Sequence, residues 1–167
     1  MITQQLIFEY FEYRDGNLYW KKSFNPNKTN LIGQLAGSIH KTGYQHITWM
    51  GKSHKAHRLI FMFHHGYMPD FIDHINNVRN DNRIENLRAA TRSENNFNAS
   101  MCKNNKSGYR GVNWHKHSKS WIVRVMTHGK SKIIGYFKDL ELAGLVADEA
   151  RALHHGKFAY NSASFCR

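Results

Sequence analysis

Sulfur is scarce in this 167-residue chain: two cysteines, Cys102 and Cys166, without CxxC spacing. Neither a zinc framework nor a disulfide scaffold is expected, and a reducing cytoplasm is the expected setting. Long apolar runs are missing too. None approaches the roughly 20 residues of a membrane span; the longest, Leu59-Ile60-Phe61-Met62-Phe63, suits one buried helix face or a short strand. The segment MITQQLIFEYFEY has no basic stretch followed by an apolar one, so no signal peptide is expected. Acidic residues are few: 12 Asp and Glu against 24 Lys and Arg, a formal charge of +12. None falls between Asn95 and Lys138, where nine Lys or Arg occur. That field attracts a polyanion. An acidic membrane surface is the weaker partner, because no basic amphipathic helix is present.

What is present suffices for a folded protein. Apolar residues make up 41% of the chain, which argues against wholesale disorder. Residues 1–56 read as strand-rich. Glu12–Trp20 has the pattern of a hairpin turning at Asp15-Gly16, and Tyr44–Trp49 that of a strand turning at Met50-Gly51 into 52–56. Residues 57–66 read as a short helix stopped by Gly66, with Pro69 beyond. A strand is expected to end near Asp73-His74, followed by a loop from Asn76 to Asn82 and a strand near Leu87–Thr91. Ser93 is the expected cap of a helix beginning there. Residues 97–107, polar, basic and aperiodic, are the expected linker. Beyond them, Tyr109–Trp114, Trp121–Thr127 and Ser131–Phe137 read as strands, with a turn at His128-Gly129-Lys130. A helix over 139–155 follows, with Asp139 as N-cap and Gly156 as stop. Ala143, Val146, Ala147, Ala150 and Leu153 form its expected buried stripe.

The stretch 73–96, DHINNVRNDNRIENLRAATRSENN, contains seven asparagines, a residue that favours neither helix nor strand. It also holds the parts of a phosphodiesterase. A histidine can act as general base, and a divalent metal can stabilise a leaving oxygen. Magnesium accepts one carboxylate and one amide oxygen while keeping several waters. Neighbouring strand residues point to opposite faces, so Asp73 and His74 can share a phosphate only at a strand end or in a distorted strand.

Asp73-His74-Ile75-Asn76-Asn77, then Asp81–Arg88, then Glu94-Asn95-Asn96 resembles the HNH endonuclease motif, in particular that of phage and intron homing enzymes. The resemblance implies a ββα-metal fold and assigns roles. His74 is the general base, Asp73 a metal ligand, and Asn86 the residue that ties the connecting loop to the site. Asn95 stands where the motif's last histidine falls, a substitution found in the homing subgroup, and supplies a second metal oxygen. Such a donor set favours one Mg2+ or Mn2+ ion over zinc. Arg58 is a candidate phosphate contact, with a purely structural role as its alternative. Asn76, Asn77, Asn80 and Asn82 receive no chemistry.

The C-terminal part, with Tyr109-Arg110-Gly111-Val112, Trp121–Val125, Ile134–Phe137 and the Ala-rich helix, resembles the APETALA2-type DNA-binding domain over residues 107–161. That family enters the major groove with a three-stranded sheet backed by a helix. By strand alternation Trp121, Val123 and Val125 are expected to face the helix, and Ile122, Arg124 and Met126 to face DNA. Arg110 matches the family's groove-facing arginine, and an arginine there either reads guanine or holds a phosphate. Asn113, His115, Lys119 and Lys132 are further contact candidates. Asn113 replaces the family's second arginine, so its base preferences do not transfer.

The expected fold class is α+β: a ββα-metal (HNH) unit with a β-rich N-terminal extension, plus a small three-stranded antiparallel sheet with one packed helix. The expected domains are 1–96, with a nuclease core at about 57–96, a basic linker at 97–107, and a DNA-binding domain at 108–167. The expected function is a metal-dependent, site-directed DNA endonuclease of homing type, leaving 5′-phosphate and 3′-hydroxyl ends. It is expected to act as a monomer on double-stranded DNA in a host cytoplasm, with no membrane and no small-molecule cofactor. The alternatives are a non-catalytic DNA-binding regulator with a decayed HNH unit, and a restriction-type or structure-specific nuclease.

Overall fold

The computed structural model describes residues 2–25, 27, 31–99, 101, 104–127 and 129–159. Cys102, Cys166, His128 of the expected 128–130 turn, and Asn161 lie outside them. The described residues form four α-helices and small antiparallel sheets of two or three strands. The chain divides into two compact units, Met1–Ala90 and Thr91–Arg167.

The first unit opens with α1 (Gln4–Tyr10), capped by the Thr3 side chain. It continues with β1 (Phe11–Arg14) and β2 (Asn17–Trp20), paired antiparallel. Asp15 and Gly16 both have positive φ, 42° and 81°, as a two-residue hairpin turn requires. Gly16 is further constrained: a Cβ there would lie 2.8 Å from the backbone nitrogen of Arg83, so the hairpin tip abuts the 75–86 loop directly. Next come β3 (Ser38–Ile39), β4 (Gln45–Trp49) and β5 (Lys52–Lys55), a three-stranded sheet in that order. Helix α2 (Ala56–His65) ends at Gly66 with φ 73°, whose N–H reaches Met62 O. Strands β6 (Phe71–His74) and β7 (Leu87–Ala90) pair antiparallel, with Asp73 opposite Arg88 and His74 opposite Leu87.

One apolar core unites these pieces: Ile7, Phe11, Leu18, Trp20, Ala36, Ile47, Trp49, Ala56, Leu59, Ile60, Phe61, Ile72 and Leu87. Large apolar side chains buried this fully stabilise by about 1.5–3 kcal/mol each. The strand-rich reading of residues 1–56 is corrected at α1. Its Ile7 is buried, and Phe8 meets Phe63 of α2 edge-on at 4.6 Å, so packing against α2 overrides the β-like composition.

The second unit begins with α3 (Arg92–Asn98). Its N-cap is Thr91 rather than Ser93: the Thr91 hydroxyl accepts from Glu94 N, and the Glu94 carboxylate accepts from Thr91 N. This reciprocal pair satisfies two helix-end donors at once. The polar 97–107 stretch is structured at both ends, by α3 and by Asn105, whose side chain bonds Ser107, Gly108 and Tyr109. Strands β8 (Val112–His115), β9 (Ser120–Thr127) and β10 (Lys130–Phe137) form a sheet in the order β10-β9-β8. Helix α4 (Leu140–His155), capped by Asp139, packs its Ala143 and Ala147 against Val112 and Val123 on one face of the sheet. A Cβ at Gly144 would lie 2.4 Å from the Tyr109 ring, so this approach needs glycine.

Two expectations fail in this unit. Leu153 is 80% exposed, and Arg151 is buried instead, donating to Arg110 O and Asp148. Ile122 is only 2% exposed although it lies on the face away from α4. The rings of His115 and Tyr136 meet at 5.4 Å across the central strand on that face, and Tyr136 is its cross-strand partner.

Candidate active site

The site is built on the end of β6 and the loop that follows. His74 is the last residue of the strand, which allows it to sit beside Asp73 without being confined to the opposite face. Both are buried. Asp73 is held by its cross-strand partner: Arg88 Nε and Nη2 donate to Asp73 Oδ2 at 2.8 and 2.6 Å. A pair this buried has its charges compensated locally.

The loop from Ile75 to Asn86 is closed by side-chain amides. Asn86 Oδ1 accepts from Asn76 N at 3.0 Å, and its Nδ2 donates to Asn76 Oδ1 and Asp81 O at 2.9 and 2.8 Å. Asn76 Nδ2 donates to Asp81 Oδ2, and Arg83 grips the same carboxylate through Nε and Nη2. The Arg83 guanidinium is the main reason that the Asp81 carboxyl is pulled down to about 2. The Tyr13 hydroxyl accepts from Ile84 N at 3.2 Å, so the N-terminal hairpin braces the loop a second time.

Two asparagines left without chemistry in the sequence reading therefore belong to the site. Asn76 is the partner of Asn86. Asn82, 1% exposed, places Oδ1 3.1 Å from His74 Nε2 and donates through Nδ2 to Gln45 Oε1 at 3.1 Å. The offset of Asn82 from His74 was available in the sequence, but nothing there marks Gln45, which comes from β4.

The walls around His74 are aromatic and cationic. The His57 ring lies 5.0 Å from it and the Tyr44 ring 6.0 Å. Lys55 Nζ stands 4.5 Å and the Arg79 guanidinium 5.3 Å from the Tyr44 ring centroid, within cation–π range. Burial holds the His74 imidazole below its ordinary range, opposed by Asn82 and the nearby carboxylates Asp73 and Asp81. Burial, with His74 alongside, pushes His57 down to about 3. His57 Nδ1 has no hydrogen-bond partner among the described residues. Burial therefore favours the neutral form of both rings, and a neutral imidazole is the form that accepts a proton.

Among the described residues no group of three or more His, Cys, Asp or Glu gathers into an all-protein metal cage. A carboxylate is the kind of oxygen donor a hard cation takes, and the Oδ2 of Asp73 is held by Arg88. Asn95 stands on α3 and is partly buried.

The DNA-contact candidates fall into distinct settings. Arg58 donates to Pro69 O and Asp70 O, both at 3.2 Å, and so ties down the chain leading into β6. Arg110 donates to Asn96 O at 2.7 Å and to Ala99 O, which places its guanidinium on the C-terminal carbonyls of α3 rather than out in solvent. Asn113 and Arg124 are exposed on the face away from α4, beside half-buried His115. Lys119 is exposed in the β8–β9 turn with φ 46°. Lys132 pairs with Val125, so its position belongs to the α4 side, whereas Ile133 pairs with Arg124.

Residues 54–97 match the family model described as HNH endonuclease. Protein 3.8 of Escherichia phage T7 is 31% identical over 110 residues, covering 65% of this chain and 90% of that protein. An uncharacterized HNH endonuclease of Acanthamoeba polyphaga mimivirus is 28% identical over 126 residues, covering 74% of this chain and 66% of that protein. No solved structure matches. The chain therefore belongs to the family of the phage T7 protein, and it carries an HNH endonuclease domain at residues 54–97. Among the described residues no helix is long and apolar enough to cross a membrane.

Proposed function

We propose that the chain is a metal-dependent, site-directed DNA endonuclease of the homing type. The observation that carries this reading is a buried histidine at a strand end beside a buried carboxylate, inside the segment that matches the HNH model. His74 takes a proton from water as the water oxygen attacks phosphorus. The bond to the 3′ oxygen breaks, leaving a 5′-phosphate and a 3′-hydroxyl. Asp73, with Asn95 in the role implied by the HNH resemblance, holds one Mg2+ or Mn2+. When bound, that ion supplies charge stabilisation at the departing oxygen. Asn86 keeps the loop closed over the site through Asn76 and Asp81. Lys55 and Arg79 bring positive charge to the phosphate beside Tyr44.

The C-terminal unit grips double-stranded DNA with the sheet face that carries Asn113, His115 and Arg124, in the manner of the APETALA2-type domain. Its three-stranded sheet with α4 packed on one face and its excess of basic residues support this assignment. The ββα-metal arrangement, monomeric action and a place in a host cytoplasm belong to the same proposal. The viral relatives support a virus-borne enzyme.

The test is cleavage of supercoiled plasmid carrying candidate target fragments, with and without Mg2+. His74→Ala is expected to lose about 10²–10⁴-fold in cutting rate, the usual worth of a positioned base, with DNA binding intact. Equal rates for variant and wild type would remove His74 from the chemistry.

A further inference from the structure

We propose that Gln45 and Asn82 form an amide relay that sets the tautomer of His74, putting the proton on Nε2 and the basic lone pair on Nδ1. This rests on the reading of His74 as the general base only for its kinetic consequence; the tautomer itself is a separate observable.

The direction of every bond follows from one fixed end. The relay starts at the backbone carbonyl of Ala36, which can only accept. Gln45 must therefore present its NH2 group there, at 3.0 Å. That turns Gln45 Oε1 toward Asn82, and an amide oxygen also only accepts. Asn82 must answer with Nδ2, at 3.1 Å. Its Oδ1 is then left facing His74 Nε2 at 3.1 Å, and that nitrogen must be the N–H. The orientation of both amides, ordinarily a matter of assignment, is decided by a group that cannot flip.

The starting carbonyl is itself immobile. Ala36 is fully buried and donates its N–H to Leu18 O at 2.7 Å. Gly37 follows with φ 82°, and a Cβ there would lie 2.1 Å from His46 O. Gln45, Asn82 and His74 are all buried, so water does not compete for their bonds. Reversing Asn82 alone would set two buried oxygens against each other at its contact with Gln45. Buried unpaired polar groups are costly, so the relay resists inversion as a unit. Second-sphere partners of this kind orient a functional imidazole and choose its reactive nitrogen.

Gln45 and Asn82 are thus positioning residues. Gln45 lies outside the 54–97 segment that matches the HNH model, which makes the N-terminal sheet part of the catalytic apparatus rather than an appendage.

Long-range 1H–15N correlation spectra of the full chain in alkaline buffer read the tautomer directly, with the His74 signals identified by their loss in His74→Ala. The wild type is expected to show a protonated Nε2 and an unprotonated Nδ1. Asn82→Leu is expected to mix or invert the tautomers and to lower kcat by about 10–100-fold, the usual cost of losing such a partner, with KM for DNA within about threefold. Gln45→Leu, which leaves Asn82 able to turn over, is expected to mix the tautomers and lower kcat by about tenfold. Asn82→Asp keeps an acceptor opposite Nε2 and is expected to retain the wild-type tautomer, at a cost in stability because its second oxygen faces Gln45 Oε1. A wild-type His74 protonated at Nδ1 overturns the relay whatever the activity. So does an Asn82→Leu or Gln45→Leu protein with wild-type tautomer and kcat. Should Asn82→Leu not fold, Gln45→Leu and the wild-type spectrum still decide. A wild type with protonated Nε2 whose His74→Ala variant cuts normally upholds the relay and defeats the general-base reading.

Discussion

The two units handle polar groups in opposite ways. In the first, the working residues are withdrawn from solvent and paired: Asp73 with Arg88, His74 with Asn82, Asn86 with Asn76 and Asp81. In the second, the residues assigned to DNA stand mainly on an exposed sheet face, Asn113 and Arg124 among them. Bond-breaking requires one geometry, and buried, mutually satisfied amides impose it. Gripping a polyanion requires positive charge that solvent and phosphate can both reach. Under the proposed function, the contrast separates where a substitution acts: on stability and chemistry together in the first unit, on affinity in the second.

That contrast can be broken most severely at Arg88. Arg88→Ala strands a buried carboxylate, and about 3–5 kcal/mol of unfolding free energy should be lost, read from urea denaturation of the variant. A loss below about 1 kcal/mol would mean that water relieves Asp73 and that the site is more open than described.

The next effect is a pH dependence centred on His57 of the first unit. With His57 at about 3 in the folded chain and near 6.5 unfolded, the unfolded state alone takes up the proton between those values. Stability is therefore complete above about pH 6.5 and falls as pH drops toward 3, by up to about 1.4 kcal/mol per pH unit. The lowered His74 adds to the same trend. His57→Leu should flatten this acid limb in denaturation curves collected across the range, and an unchanged limb would rule out His57 as its source.

A smaller effect separates two arginines that strand and motif arguments had grouped together. Arg124→Ala should weaken DNA binding and reduce the slope of log K against log salt by about 1, as for one lost phosphate contact. Arg110→Ala should instead loosen α3, whose terminal carbonyls it holds, at a cost of about 1 kcal/mol in thermal stability. Equal salt slopes lost by both variants would place both guanidinium groups on DNA. Smallest of all, Leu153→Ser, at an 80% exposed position, should shift stability by no more than about 0.5 kcal/mol. A larger loss would restore Leu153 to the buried stripe.

What could be read from the sequence was what local geometry dictates. Asp15-Gly16 and Met50-Gly51 both take up the positive φ that their turns require. Gly66 ends α2 and Asp139 caps α4 where expected. Asn86, which the spacing from His74 marked, bonds Asn76 and Asp81 within the loop. What escaped depends on segments far apart in the chain. Helix α1 packs against α2, Ile122 is buried on the face where the His115 and Tyr136 rings of the neighbouring strands meet, and Arg151 takes its buried place through bonds to Arg110 and Asp148. Asn82 looked like loop filler because its meaning lies in Gln45 on another sheet.

The shared core has a practical consequence for anyone recombining this gene. The HNH match begins at residue 54, yet Ile7, Phe11, Leu18, Trp20, Ala36, Ile47 and Trp49 of the same core all precede it. The recognisable motif is therefore not the transplantable part. A chimera joined at that boundary would inherit the catalytic letters and leave behind the floor on which they stand, so the smallest portable cassette for the site reaches back to the first helix.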